Sequence, residues 1–406
     1  MKPPIHKSTK AIDFIVFTLS IAIIAVTAPS AQAQTFGVFY NFTGRGDGGN
    51  PLSGLIADSA GNLYGVTNSG GRVGAGVVFK LSATGTQTTL HNFAGGADGA
   101  NPQGRLVRDP AGDLYGTTNS GGASNAGTVF KVTSKGVETV LYSFAGNLDG
   151  ANPVAGLTLD KSGNLYGTTT DGGTNGNGTV FELLAPTVSG GAWTEQLLYT
   201  FGQFTGDGSD PVAGVTFDNS GNLYGTTAAG GNYGYGTVYQ LQNSGSGWTE
   251  NVLHHFELGN DGGVPYAGLT FYSTNTFFGA ATDGGPGGGG GGTIFELKET
   301  AGVWKFAVIY SLPGWGISGT FRNLLVASGS KIYGTTHCDG SNDAGTVYEL
   351  TKSGSTWTYN SLYVFTGGDD GLFSFSNLAN DKAGNLYGTT NLGGNNGAGV
   401  VFKITM

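Results

Sequence analysis

Cysteine, proline, methionine and charge are all scarce in this chain. A lone cysteine, Cys338, among 406 residues closes no internal disulfide, so the fold must be held by core packing. Charged side chains make up 11% of the sequence, against about a quarter in an ordinary soluble domain, and 18 basic residues face 27 acidic ones. The resulting net charge of −9 excludes a nucleic-acid binder working through a basic face. Helical 3.6-residue periodicity is missing, and beyond the N-terminus so is any apolar run long enough to span a bilayer.

The one long apolar run, Phe14 to Val26, follows Lys2, Lys7 and Lys10 and leads to Ala31-Gln32-Ala33. That arrangement predicts a secretory signal peptide over residues 1–33, cleaved before Gln34, and a secreted or periplasmic chain over 34–406 without a transmembrane span. Glycine is abundant, with 77 residues, yet 12% of the chain is aromatic and Leu, Val, Ile and Phe recur in short runs. Those runs exclude disorder.

An internal repeat organises the rest. The segment GNLYGTT at Gly163 recurs as GNLYGVT at Gly61, GDLYGTT at Gly112, GNLYGTT at Gly221 and Gly384, SKIYGTT at Ser330 and NTFFGAA at Asn275. Its marker aromatics are Tyr64, Tyr115, Tyr166, Tyr224, Phe278, Tyr333 and Tyr387, a period near fifty residues. Each unit carries four short β-type segments between turn residues; in the third these are Leu141 to Phe144, Gly156 to Asp160, Asn164 to Thr169 and Thr179 to Leu183. Seven units of four strands predict an all-β, seven-bladed β-propeller. The glycine-rich stretch after Tyr166 is followed by the β-branched Thr179-Val180-Phe181 and not by a helix, so it is a hairpin and not a phosphate loop. The mid-strand glycine after each marker aromatic, Gly65 to Gly388, is expected to admit an aromatic or backbone from a neighbouring blade.

The succession aliphatic-Tyr-x-Phe, GGxDGxNP, AGLxxD, GNLYGTT, GG and GxGTVFKL, from about Phe39 onward, resembles the GloVer tandem-repeat family of secreted bacterial proteins. That resemblance implies export and a propeller-like β fold, and no particular activity. Family members often end in a sorting or anchoring segment; here the sequence stops on the last strand at Met406, so anchoring of that kind is not expected. A looser resemblance to NHL-type propellers implies that GLxxD is the innermost strand, GNLY the second and Leu-Tyr-x-Phe the outermost. The strand around Phe39-Tyr40-Asn41-Phe42 is then expected to complete the last blade.

This order puts the DG loop before each inner strand and the glycine-rich hairpin loop on one face, where a ligand site is expected. The DG loops carry Asp47, Asp98, Asp149, Asp207, Asp261 and Asp370. One carboxylate per loop is a weak calcium signal beside the ordinary use of Asp-Gly in turns, and no other cofactor is implied. His91 and His254 replace the tyrosine of the outer strand and read as packed aromatics; Trp193, Trp248, Trp304 and Trp357 keep a constant register that argues for packing. The sixth unit departs twice. Leu312 to Ile317 replaces its DG loop, and His337-Cys338-Asp339 opens its hairpin. Trp315, Arg322, His337 and Asp339 are expected to lie together there, with Arg105, which stands where other units have glycine, at the channel mouth. Exposed Trp with Asp, Arg and His suits a sugar.

Two functions fit. The first is a secreted, monomeric binding or interaction scaffold, with a polysaccharide or a cell-surface protein as partner. The alternative is an extracellular polysaccharide lyase or hydrolase with its site on the loop face, for which His337 and the arginines are the visible lyase candidates.

Overall fold

The computed structural model describes Met1 and residues 34–406 except 189, 246, 287–289, 313, 315–323 and 329, with backbone only for 325–328. The rest of the expected signal peptide lies outside the described residues. Residues 34–406 build seven four-stranded antiparallel sheets arranged in a ring, the seven-bladed propeller that the repeat predicts. The third blade shows the plan. Its inner strand is Thr158–Leu159, followed outward by Leu165–Thr169, Thr179–Leu184 and Thr194–Thr200. GLxxD is therefore innermost, the marker segment second, GTVF third and Leu-Tyr-x-Phe outermost.

Thr35–Asn41 pairs with Val400–Thr405 as the outer strand of the seventh blade, whose other strands are Leu386–Thr390 and Ala379–Asn380. Chain start and chain end thus share one sheet, and no blade edge is left between them.

The mid-strand glycine has a different partner from the one expected. Antiparallel register sets Gly65 opposite Phe79 and Gly167 opposite Phe181 on the third strand of the same blade. A Cβ at Gly65 would lie 2.7 Å from Phe79 Cζ and 2.9 Å from Leu55 Cδ2; at Gly167 it would lie 2.6 Å from Phe181 Cζ. The glycine makes room for a ring of its own blade, not of a neighbour. That ring in turn meets, edge to face, the phenylalanine ending the preceding blade: Phe42 on Phe79 at 5.2 Å, Phe93 on Phe130 at 5.1 Å, Phe144 on Phe181 at 5.2 Å. All six are fully buried.

The tryptophans pack as their register suggests. Trp193 lies against Tyr115 of the second blade, Trp304 against Tyr224 and Trp357 against Phe278, each on the marker aromatic of the blade before. A register shift recurs between the third and outer strands, for example at Val140/Tyr142 and Val347/Tyr348. The bulge turns the outer-strand Tyr or His toward the DG loop.

Because Thr35–Asn41 supplies a whole strand, a chain lacking residues 34–43 should aggregate or lose its cooperative thermal transition. Calorimetry showing a cooperative transition at the parent midpoint would disprove closure by this strand.

Candidate functional site

The DG loop and the hairpin loop share one face, joined by antiparallel bridges such as Gly49–Ser69, Ala151–Asp171, Gly263–Asp283 and Leu372–Leu392. The DG carboxylates are used inside their own loops. Asp47 accepts the Tyr40 hydroxyl and the Thr43 N–H, both at 2.9 Å; Asp149 accepts Tyr142 at 3.0 Å and Ala145 N–H at 2.7 Å. Asp207 and Asp370 do the same with Tyr199 and Tyr363. Asp261 meets His254 Nε2 at 2.9 Å, and Asp98 takes the Ala94 N–H with His91 Nε2 at 3.4 Å. The six aspartates are spread one to a loop, and among the described residues no group of three or more His, Cys, Asp or Glu converges. Calcium asks for six to eight oxygens.

Trp315 and Arg322 lie outside the described residues. His337 and Asp339 turn to different partners. At three other junctions the asparagine before the inner strand, Asn50, Asn101 or Asn152, donates from Nδ2 to the backbone carbonyl of Asn391, Asn68 or Asn119, the residue equivalent to His337 in the preceding unit. At the sixth junction that asparagine is Phe373, and His337 packs on Phe373 and Phe375 with ring centroids 4.5 and 4.3 Å away. Burial among these rings holds its imidazole down to about 4, neutral at neutral pH.

Asp339 replaces the first hairpin glycine. In the second and third units that glycine, Gly121 or Gly172, faces the DG glycine, Gly99 or Gly150, so closely that a Cβ would sit 2.5 Å from its Cα. The DG glycine itself lies on a threonine hydroxyl pair, Thr118–Thr128 or Thr169–Thr179. The sixth unit, whose sequence lacks the Asp-Gly pair of the DG loop, carries a side chain here. The Asp339 carboxylate accepts the hydroxyls of Thr336 and Thr346, so it takes up the groups that a DG glycine covers elsewhere. Burial raises its pKa against those hydrogen bonds, and burial beside Asp339 and Asp343 also raises the Cys338 thiol. A cavity of about 410 Å³ opens beside Cys338, Asp339, Asp343 and Tyr359.

Arg105 belongs elsewhere. It lines a cavity of about 500 Å³ in the central channel, which neither His337 nor Asp339 reaches. Gly54, Gly156, Gly214 and Gly268 hold its position in four other units and Asn377 in the seventh. Its Nε donates to Leu55 O at 3.2 Å. Channel solvent reaches the guanidinium, but the surrounding blades desolvate it and lower its pKa. Among the described residues no carboxylate lines this cavity; its polar lining comes from Gln103, Tyr266, Asn377 and inner-strand threonines. Thr158, Thr216 and Thr270 face the marker aromatics Tyr166, Tyr224 and Phe278 in register, where Ile56 and Val107 stand in the first two units. Sequence reasoning missed this threonine trio, although each threonine stands two residues after the glycine of its AGL-type segment, at Gly156, Gly214 and Gly268.

A family model described as the Gloeobacter/Verrucomicrobia repeat matches residues 24–181, 147–320 and 218–406. The chain belongs to this repeat family. No curated protein matches it. Among solved structures it is similar to a Bacteroides uniformis protein provisionally named a 6-phosphogluconolactonase, at 14% identity over 82% of this chain and 87% of that one, with a TM-score of 0.48. A Thermus thermophilus protein provisionally named an oxidoreductase (glucose dehydrogenase) is 14% identical over 75% and 96%, with a TM-score of 0.45. A Dyadobacter fermentans protein of unknown function is 12% identical over 81% and 98%, with a TM-score of 0.43.

This Gloeobacter/Verrucomicrobia repeat protein also carries three carboxyl pairs between blades. Glu138, Glu195 and Glu250 stand four residues before the Tyr or His of the outer strand, beside Asp98, Asp149 and Asp207. Burial first, and the aspartate charge second, raise the three glutamates to about 7, 7 and 8. A glutamate raised in the folded state contributes stability that is complete below its unfolded value and lost as pH rises through the folded one. The melting midpoint should therefore fall between about pH 5 and pH 8, by an amount equivalent to ~1 kcal/mol per glutamate once solvent screening of these half-buried groups is allowed for. Glu250→Gln should flatten part of that slope; an unchanged slope would show that the pair does not titrate there.

Proposed function

We propose that this protein is a secreted binding propeller that takes carbohydrate in its central channel. The observation that carries the reading is the channel wall. A cavity of about 500 Å³ falls in the range of small-molecule sites, and it sets the hydroxyls and amides of Thr216, Gln103 and Asn377 beside apolar Ile56, Val107 and Phe271. Sugars present the same mixture of hydroxyls and apolar ring faces. Export rests on the Lys-rich, apolar N-terminus. Among the described residues no helix is long and apolar enough to cross a membrane.

A polysaccharide lyase is the second reading, favoured by one observation: Tyr266 of the fifth unit and Arg105 of the second line the same cavity. A tyrosine base and a guanidinium against a uronate carboxylate are the groups that β-elimination needs.

The test is the thermal midpoint of the purified chain against soluble polysaccharides and their oligosaccharides, with calcium or chelator. A glycan at one hundred times its dissociation constant should add ~2.7 kcal/mol to stability, a clear rise in midpoint. No rise with any glycan would remove the reading. Release of unsaturated product by the parent chain, lost in Tyr266→Phe, would replace binding by the lyase.

A further inference from the structure

Arg105 is the one charged residue among the described residues that line the channel cavity, and its guanidinium is only partly used. Nε is held by Leu55 O, while among the described lining residues no carboxylate shares the cavity. Solvent in the channel reaches the side chain, and the fold does not require a cation there, since four other units place glycine at this position. Those glycines lie close to the backbone of the preceding blade: a Cβ at Gly54 would be 2.1 Å from Asn377 O and one at Gly214 would be 2.5 Å from Gly156 O. The second unit has Gly104-Arg105 where the third has Ala155-Gly156, so the side chain gains its place by a local exchange of small and large residues.

The channel waist is two-sided. Ile56 and Val107 make one part of the wall apolar, next to Arg105, while Thr158, Thr216 and Thr270 bring hydroxyls from three successive blades. Thr158 and Thr270 donate to Val215 O and Leu324 O of the following blades, which leaves their oxygen lone pairs to accept from a ligand. A single guanidinium matches one carboxylate in a bidentate fork and would leave a phosphate dianion half neutralised.

We infer that the channel binds a uronic acid sugar, with its carboxylate on Arg105 and its hydroxyls on the threonines of blades three to five. The inference deepens the channel reading above by naming the ligand class, and it rests on that reading.

Titration calorimetry of the purified chain decides it, with D-glucuronate and D-galacturonate as probes and D-glucose, the methyl ester of glucuronate and inorganic phosphate as comparisons. One or both uronates should bind at least tenfold more tightly than any comparison. Arg105→Gly should lower the uronate association constant tenfold or more and should melt no lower than the parent in the absence of ligand, because glycine already occupies this position in four units. Arg105→Lys should recover part of the binding through charge without the fork. Phosphate binding as tight as uronate, or uronate binding unchanged in Arg105→Gly, would overturn the inference. Binding of neutral oligosaccharides without uronate would overturn it too, while leaving the channel reading standing.

Discussion

At six of the seven junctions between blades a third-strand aromatic ring lies over a bare glycine and meets the phenylalanine that ends the blade before; between blades five and six Leu312 takes that phenylalanine's place. Gly167, Phe181 and Phe144 form one such stack, and Gly65, Phe79 and Phe42 form the one that spans ring closure. Any side chain at the glycine would push the ring off its place, where it packs against the blade before. The three commonest elements of the repeat, the glycine after the marker aromatic, the Phe or Tyr of the GTVF-type segment and the Phe of Leu-Tyr-x-Phe, are therefore one interaction seen from three places in the sequence. The marker tyrosine adds a tie at the other end of the blade: Tyr64, Tyr115, Tyr224 and Tyr387 donate to Asp58, Asp109, Asp218 and Asp381, the aspartates that cap the turn between inner and second strands.

That is why the architecture was legible. Period and strand count follow from spacing, the displaced first strand from the resemblance to NHL-type propellers, and Thr35–Asn41 does pair with the last strand. The partner of the mid-strand glycine was not legible, because sequence places Phe79 of the same blade and an aromatic of the next on an equal footing until the register Gly65↔Phe79 is known. The side chains of the sixth unit are harder to read from sequence for a related reason. His337 and Asp339 look like an isolated chemical pair in the sequence, yet each answers a change elsewhere: His337 answers Phe373 in the next unit, and Asp339 answers the missing DG loop. Compensating substitutions a whole strand apart leave no local signature. Trp315 and Arg322 stand outside the described residues; of the other two, His337 packs on Phe373 and Phe375 and Asp339 accepts from Thr336 and Thr346.

The inner ring obeys a different rule. Blade packing fixes the second and third strands through their aromatics, whereas the inner strand is only two residues long in most blades and presents one side to the channel. Residues there are free of the stack, and this is where the units differ most in chemistry: Ile56, Val107, Thr158, Thr216 and Thr270 occupy one register position, and glycine, arginine and asparagine occupy another. A ring of identical blades would give a channel with no preferred orientation for a ligand. Arginine on the second blade and hydroxyls on the third to fifth break that symmetry without touching the packing that holds the ring closed. Four other units give that position to glycine, so the fold does not call for a guanidinium there, and its counterpart is sought in something that enters the channel carrying the opposite charge.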